Sequence, residues 1–402
     1  MSAAAHIIAS DAEAIAVATA LAAEITPGAD ERDRRHQHPL AQLQALGRSG
    51  LLGIIIPGEL GGTGASFTTL AEVLRLLAAA DASFAQVPQP HYVTLLAVLL
   101  AGTPEQQAFF AAEVLAGKRF GNALSERGTR TSMDYRTTIR RDPSGSWRIN
   151  GTKFYCTGSI SADWVPTYAL DAERRLLLAY VPRNAAGLQV LDDWQAIGQR
   201  GTASGTVTLD DVQVPDVYVV ALWRALEGPQ IWNAFARFLH AALDVGIAEG
   251  ALHAGATFLR TRTRPWSEAG VERASDEPHI LLRYGQLATE LAAATALLRR
   301  AGHLLDAAWR NTDADSAARA SAAVAEAKAY AAETAVTIAS EIFAACGTSA
   351  ADESSGLGRH WRDARTHSIH DPVRWSHHSA GYYAVHGTFP RSRGHGGAAA
   401  AR

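Results

Sequence analysis

The sequence is poor in several features that mark other classes of protein. It has only two cysteines, Cys156 and Cys346, far apart in the chain, which argues against a disulfide framework or a zinc knuckle and is typical of a reduced compartment. No apolar run reaches membrane-spanning length, and the N-terminus lacks the basic start of a signal peptide. The formal net charge of −3 argues against a nucleic-acid or polybasic membrane partner. These absences predict a cytoplasmic globular protein.

The pattern of apolar residues divides the chain into three parts. Spacings of three and four predict helices at the start, and short β-rich runs follow, separated by turn signals at Pro143-Ser144-Gly145 and Asn150-Gly151. Three alanine-rich segments of more than twenty-five residues then predict long, closely packed helices with surface left for subunit contacts. We therefore predict an α+β protein with an N-terminal helical domain (1–120), a middle antiparallel β domain (121–222), a C-terminal four-helix bundle (223–390) and a flexible tail (391–402).

The segment RTHSIHDPVRW, from Arg365 to Trp375, concentrates groups that can carry chemistry. On a helix, His367 and His370 share one face because they lie three residues apart. A metal site would need further ligands, and only Asp371 stands nearby. Asp371 followed by Pro372 is also typical of the first two positions of a helix. The residues alone leave open an acid–base site, a metal site and a histidine-rich helix junction.

Four motifs give the chain a resemblance to the acyl-CoA dehydrogenase fold, which has the same order of a helical, a β and a helical domain. PGELGGTGASF resembles the N-terminal loop of that superfamily, and NALSERGT and NGTKFYCTGSISADW are similar to its two flavin-facing segments. RHWRDARTHSIHDP resembles the segment that leads to the catalytic carboxylate of the dehydrogenases. The resemblance covers about residues 20 to 390.

The departures from the dehydrogenase pattern indicate a different reaction. The Thr-Glu-Pro signature is replaced by Ser125-Glu126-Arg127, and Asp371-Pro372 stands where a glutamate and a glycine are expected. A base that is one methylene shorter loses reach, and small misplacements are costly to catalysis. The motifs NALSE, FYCTGS, DDWQAIGQRGTASGT, TRTRPW and WRDARTHSIHDPV resemble flavin-dependent monooxygenases of this fold, above all the dibenzothiophene monooxygenases and the SfnB-type sulfur-acquisition oxidoreductases.

This resemblance implies a two-component enzyme. A separate reductase would supply reduced FMN, which would react with O2 to a C4a-hydroperoxide that oxygenates a small organosulfur compound. FMN is favoured over FAD, which stays possible, and the expected assembly is a homotetramer, a dimer of dimers. Three overlapping sets of residues are implied. The catalytic set is His370, His367, His91, Asn122 and Thr157; the cofactor set is Asn122, Ser125, Thr157, Ser159, Trp194, Ser204, Arg262, Arg264 and His370; the substrate pocket is His91, Tyr92, Trp194 and Trp375. No metal is expected.

Two other functions remain as alternatives. An FAD-dependent acyl-CoA dehydrogenase would need a carboxylate base from another position, and a non-catalytic helical assembly protein would have lost the flavin. The sequence does not choose between alkyl and aromatic sulfur compounds, nor between sulfur, nitrogen and carbon as the atom oxygenated.

Overall fold

The N-terminal part of the chain is helical, and polar side chains begin its helices. The computed structural model describes residues 5–390. Ser10 and Ser66 accept hydrogen bonds from the N–H groups of Glu13 and Thr69, and Thr103 begins its helix with a reciprocal capping box, so these side chains satisfy N–H groups that a helix start leaves unpaired. The helices are α1 (Asp11–Ile25), α2 (Ala29–Arg34), α3 (Leu40–Arg48), α4 (Phe67–Ala80), α5 (Ala82–Gln86), α6 (Gln89–Ala101) and α7 (Pro104–Leu115).

The middle part of the chain forms one seven-stranded sheet in the order β5-β6-β2-β1-β3-β4-β7. The pairs are antiparallel except for β1 and β3, which pair in parallel where Thr138 lies opposite Leu170. The predicted antiparallel β domain is confirmed apart from this pair, where the hairpins β1–β2 and β3–β4 meet side by side, and two isolated parallel bridges, Phe120–Trp164 and Ala123–Thr167. The strands are β1 (Thr138–Arg141), β2 (Trp147–Lys153), β3 (Trp164–Leu170), β4 (Leu176–Pro182), β5 (Leu188–Val190), β6 (Val207–Val214) and β7 (Val219–Val220).

One of the two predicted turns lies inside a strand. Residues 143–145 do connect β1 to β2, but Asn150 and Gly151 belong to β2, and the register against β6 shifts between Ile149 and Gly151. A Cβ atom at Gly151 would lie 2.3 Å from Thr137 Oγ1. The prediction of a turn at Asn150-Gly151 is wrong because the glycine serves a strand irregularity and a close approach to Thr137.

Five α-helices form the C-terminal part of the chain as far as residue 390. They are α8 (Trp232–Thr261), α9 (Pro278–Arg310), α10 (Ala314–Cys346), α11 (Leu357–His367) and α12 (Val373–His386). Helix α8 packs against α10 and also against α4 of the N-terminal part. The approach to α4 is close because α8 has glycine at the contact: Cβ atoms at Gly246 and Gly250 would lie 2.4 Å from the carbonyl oxygens of Arg75 and Ala79.

Gly246→Ala should separate α8 from α4 and lower the free energy of unfolding. Overpacking a core typically costs about 1–3 kcal/mol, and the better helix propensity of alanine offsets about 1 kcal/mol of that. Gly285, inside α9, has nothing within 4 Å of its added Cβ, so Gly285→Ala should instead raise stability by about 1 kcal/mol. Urea denaturation at one protein concentration compares the two variants, and equal shifts in the same direction would contradict the close contact.

Two further predictions concern the C-terminal tail and membrane-spanning segments. The tail predicted at 391–402 lies outside the residues that the structure describes. Within residues 5–390, no helix combines the length and apolar character that a membrane span requires.

Candidate active site

Three histidines and a buried ion pair form a continuous chain of contacts where α8, α10 and α11 meet. Lys328 Nζ lies 2.6 Å from Asp244 Oδ2, and the other carboxylate oxygen lies 2.5 Å from His367 Nδ1. His367 Nε2 in turn lies 3.0 Å from His240 Nδ1. The His240 ring lies against the His370 ring, with centroids 4.0 Å apart. We call His367, His240 and His370 the histidine chain, and it leads from the helical core to the surface.

The buried part of the histidine chain favours neutral imidazoles beside the charged pair of Asp244 and Lys328. Burial lowers the pKa of His367, and Asp244 only partly opposes this; burial and the nearby His370, His367 and Lys328 lower the pKa of His240 well below its ordinary value. Burial raises the pKa of Asp244, but His367 and Lys328 outweigh it, so that the pKa lies below its usual value. Among residues 5–390, no group of three or more histidine, cysteine, aspartate or glutamate side chains could hold a metal ion.

The outer end of the chain is accessible. The side chains of His370 and Asp371 are 49% and 38% exposed, and His370 Nδ1 lies 3.7 Å from Asp371 Oδ1. Burial opposes ionisation of Asp371, but the interaction with His370 and the charges of Arg237 and Lys328 hold its pKa below the usual range. Asp371 does not cap α12: the N-cap is Pro372, without a side-chain hydrogen bond. The prediction of Asp371 as cap and Pro372 as first helical residue is therefore wrong by one position.

A second polar cluster lies on the β domain. Thr157 Oγ1 and Ser204 Oγ lie 2.9 Å apart, and Ser204 Oγ lies 2.8 Å from Thr202 Oγ1. Backbone bonds join the two segments, because the N–H of Gly158 donates to the carbonyl of Thr202. We call Thr157, Thr202 and Ser204 the hydroxyl ledge. It brings together two residues that the resemblance placed at the flavin, Thr157 and Ser204.

The ledge is bordered by backbone in an unfavourable conformation. Tyr155, Gln199 and Ala203 have φ of 58°, 47° and 50°, a left-handed conformation that residues other than glycine rarely adopt. Tyr155 also exposes 47% of its surface and lies at a T-shaped angle to Trp194, with ring centroids 6.1 Å apart. Such conformations persist where the surrounding structure imposes them, and they concentrate at functional sites.

Helix α11 connects the hydroxyl ledge to the histidine chain. The N–H of Gln199 donates to Asp363 Oδ1 over 2.5 Å, and a Cβ atom at Gly198 would meet the carbonyl oxygen of Arg362 at 2.0 Å. Asp363 precedes His367 by four residues, so the two side chains share one helix face about 6 Å apart along the axis. The turn that carries the ledge therefore docks one helical turn from the histidines.

Asp363 should make stability depend on pH. Burial raises the pKa of Asp363 to about 7, while Arg359 opposes this. The folded protein then holds a proton that the unfolded chain loses above about pH 4, so the free energy of unfolding falls as pH rises from about 4 to 7 and is level above that. In Asp363→Asn this fall should be smaller by up to about 4 kcal/mol. Urea midpoints at pH 5 and pH 8 test it, and parallel pH curves for both proteins would count against it.

Asn122, Ser159 and Ser125 lie beside the ledge on neighbouring segments. The N–H of Asn122 donates to Ser159 Oγ over 2.9 Å, and that hydroxyl donates back to the Asn122 carbonyl over 2.8 Å. The Ser159 side chain is fully buried. Ser125 accepts the N–H of Phe154 on its backbone carbonyl. Ser159 thus holds the backbone of Asn122 in place, while the side chains of Asn122 and Ser125 stay partly exposed.

His91 and Tyr92 point into the protein core. Phe120 N–H donates to His91 Nδ1, and His91 Nε2 donates to the carbonyl of Leu52, both over 3.1 Å. The Tyr92 hydroxyl donates to the carbonyl of Leu51 over 2.9 Å. Both side chains are fully buried, and burial lowers the pKa of His91 to about 3. With both ring nitrogens bonded to the backbone, His91 has none left for proton transfer, and the structure does not bring it into the cluster around His370.

The remaining predicted residues are spread over the surface. Trp194 lies at the ledge, where its Nε1 donates to the carbonyl of Gln199 over 3.0 Å. Trp375 is 58% exposed on α12. Arg262 and Arg264 follow the end of α8 and are exposed, and among the described residues neither forms an ion pair. Along α8, 22 residues separate Arg262 from His240, or about 33 Å, so one chain does not bring its own Arg262 to its histidine chain.

Three residues of the histidine chain and its ion pair were not predicted from the sequence: His240, Asp244 and Lys328. A signal was present, since His240 and Asp244 lie four apart in the apolar run FLHAALDVG and Lys328 interrupts an alanine-rich run. Charged residues are almost never fully buried unless they are paired, so a charge on the buried face of a helix indicates a partner. The sequence did not identify that partner.

The candidate site lies between the β domain and the helical C-terminal part, in a fold of three consecutive domains. The sequence matches the acyl-CoA dehydrogenase N-terminal domain over residues 12–118, the middle domain over 121–212 and the C-terminal domain over 238–375. The dibenzothiophene monooxygenase of Rhodococcus qingshengii is 32% identical over 399 residues, covering 95% of each chain. The probable FMNH2-dependent monooxygenase SfnC of Pseudomonas putida is 32% identical over 385 residues, covering 94% of this chain and 96% of SfnC.

A solved structure agrees with these matches. FMN-bound TdsC from Paenibacillus sp. A11-2 superimposes with a TM-score of 0.89 at 33% identity, covering 94% of this chain and 98% of TdsC. The chain therefore belongs to the acyl-CoA dehydrogenase family, in the group of its flavin-dependent monooxygenases. The predicted fold and family are confirmed.

Proposed function

We propose that this protein is a two-component monooxygenase. It takes FMNH2 from a separate flavin reductase and uses O2 to add one oxygen atom to a small organosulfur compound, while the second oxygen atom leaves as water. The proposal follows the names of its relatives, a dibenzothiophene monooxygenase and an FMNH2-dependent monooxygenase.

The observation that carries the proposal is the pairing of Asp371 with His370. A dehydrogenase needs a carboxylate that removes a substrate proton, and such a base works best with a pKa near the operating pH. Here the pKa of Asp371 is held below its usual value, which makes this carboxylate a weak base. The accessible group at this position is the imidazole of His370, and histidine is the side chain that most often serves as a general acid or base.

The residues of the ledge fit a flavin. The exposed Tyr155 ring offers an aromatic surface, and the hydroxyls of Thr157 and Ser204 offer donors and acceptors. Gln199 Nε2, in the same turn, is buried and has no hydrogen-bond partner among the described residues. Buried polar groups are normally satisfied, so the turn has an unused donor. When bound, FMNH2 would supply two electrons and activate O2.

The protein would contribute orientation, water exclusion and proton handling. Thr157, Ser204 and the side chain of Asn122 would hold the isoalloxazine edge. Arg262, with Arg264 beside it, would grip the phosphate of a flavin bound to another copy of the chain, because guanidinium suits phosphate and its own site is too far away. Trp194 and Trp375 would help to exclude water. His370 would hold or deliver the proton that the departing oxygen atom needs.

The protein alone should oxygenate sulfur when it receives reduced flavin. Photoreduced FMN, 18O2 and excess catalase are mixed with the protein and either an aromatic thiophene or an alkanesulfinate. Mass spectrometry of the sulfur compound should find one 18O atom, and reduced FMN without protein serves as the control. Absence of product from every substrate, together with bleaching of bound FAD by an acyl-CoA, would establish the dehydrogenase instead. A protein that binds no flavin would favour the non-catalytic alternative.

The proposed assembly is a homotetramer. Trp266, Leu281 and Leu282 expose 69%, 55% and 64% of their surfaces in the single chain. Leu281 and Leu282 are adjacent near the start of α9, and the Trp266 N–H bonds to Glu277 just before that helix, so we take this end of α9 as an interface. A second copy is also needed if Arg262 is to reach a flavin. Light scattering after gel filtration measures the assembly, and a monomer with full FMN affinity would exclude the role given to Arg262.

A further inference from the structure

The buried ion pair between α8 and α10 is the starting point. Asp244 is 0% and Lys328 1% exposed, and their 2.6 Å contact lies in an interface made mostly of alanine and aliphatic side chains. Removing two charges from water is expensive, so replacing such a pair by apolar residues is often neutral or stabilising. Packing alone therefore does not explain the pair, and its other contacts indicate what it does.

The contacts of Asp244 assign the proton positions along the histidine chain. Asp244 Oδ2 accepts a hydrogen bond from Lys328 Nζ. Asp244 Oδ1 is therefore free to accept a hydrogen bond from the N–H at His367 Nδ1. In the neutral His367 ring Nε2 then carries a lone pair, and it accepts from His240 Nδ1–H at 3.0 Å. His240 Nε2 is left as the unprotonated nitrogen. Each assignment follows from its neighbour, and only the ion pair fixes the first one.

We propose that Asp244 and Lys328 are positioning residues that set the tautomers of His367 and His240, so that His240 holds an unprotonated Nε2 beside the His370 ring and can exchange a proton with it. This extends the proposed monooxygenase function and depends on it for the reaction served. Neither residue of the pair needs to touch flavin or substrate. The pair acts through His367, which it contacts directly.

The proton exchange balances without any further reactant. A protonated His370 gives one proton to His240 Nε2 and becomes neutral. His240 Nδ1 passes its own proton to His367 Nε2, and the single imidazolium is then His367, beside the Asp244 carboxylate. The reverse transfers return the proton to His370. Lys328 matters because it keeps the carboxylate a poor proton acceptor, so that the proton stays on imidazole. The groups that face His240 are His367, His370, Lys328 and Arg237, and Asp371 faces His370.

The test replaces both charges by neutral side chains of similar size. The Asp244→Asn/Lys328→Met protein keeps the packing and leaves no unpaired buried charge, but it lacks the carboxylate that holds His367. The matched control is Arg75→Met/Glu249→Gln, which removes an ion pair that α8 makes with α4 and does not touch the histidines. Circular dichroism establishes that both double variants are folded.

Nitrogen-15 NMR of histidine-labelled, flavin-free protein gives a readout that does not depend on activity. The wild type and the control should show His367 as the Nδ1–H tautomer, with a downfield proton resonance from its bond to Asp244, and the test variant should lose that resonance. A wild-type His367 in the Nε2–H tautomer, or an unchanged spectrum in the test variant, would overturn the proposal even if the variant were unstable.

The pH profile of sulfur oxygenation supplies the second readout. With FMNH2 and substrate saturating, the test variant should show a rate at least tenfold lower and a shifted pH profile, and the control should keep both. A profile that does not move would reduce the pair to a structural role and overturn the proposal. If the wild type oxygenates no sulfur compound, the proposed function fails, and the NMR result still decides whether the pair sets the tautomers.

Discussion

Replacing His370 with asparagine should lower the rate of substrate oxygenation by about 10²–10⁴-fold, the usual contribution of a positioned acid–base group. His370 is the accessible end of the histidine chain, with its side chain 49% exposed and its ring 4.0 Å from that of His240. Asparagine keeps a polar side chain but holds no exchangeable imidazole proton. The measurement is single-turnover oxygenation with photoreduced FMN, alongside FMN affinity from fluorescence.

The matched control is His377→Asn. His377 lies on α12, is exposed, and contacts Glu333 over 2.9 Å, so its loss removes a histidine without touching the site. FMN affinity should change little in either variant, since His370 is expected to act on protons. More of the electrons should end in hydrogen peroxide in His370→Asn, because oxygen transfer is slowed relative to loss of the peroxide. A variant that oxygenates at nearly the wild-type rate would remove His370 from the mechanism.

Lys328→Met alone should lower the free energy of unfolding by about 3–5 kcal/mol, since breaking a buried ion pair leaves a charge without its partner. Asp244 is fully buried, and after the substitution only His367 would face its charge. Denaturant titration monitored by circular dichroism measures the loss. The pKa of Asp244 should also rise, so the variant should be destabilised less at low pH, where the carboxyl can be protonated.

Addition of Asp244→Asn to Lys328→Met should recover most of that stability, because the second substitution removes the unpaired charge. The double variant tests the pairing directly. Additive losses in the free energy of unfolding would mean that each side chain acts independently. A single variant as stable as the wild type would show that the pair is not desolvated in solution.

The sequence by itself determined the order of the three parts and most of their helices. The spacing of apolar residues is a local signal, which can be read from a sequence without its tertiary contacts. It also indicated that His367 and His370 lie near each other, but not on one helix face, because α11 ends at His367 and His370 lies in the turn that follows, with ring centroids 6.5 Å apart. The resemblance of several motifs then indicated the family, and the similarity to known relatives confirms it.

Only the tertiary structure decided which groups meet those histidines. Asp244 and Lys328 lie 84 residues apart, and Asp244 and His367 lie 123 apart, so no local pattern pairs them. The same applies to His91, whose two nitrogens are taken by backbone groups of Leu52 and Phe120, and to Asn150-Gly151, where the contact with Thr137 makes a turn signal part of a strand. Side-chain type and local spacing fix what a residue is able to do, whereas long-range packing fixes the partner, the burial and the charge that decide what it does.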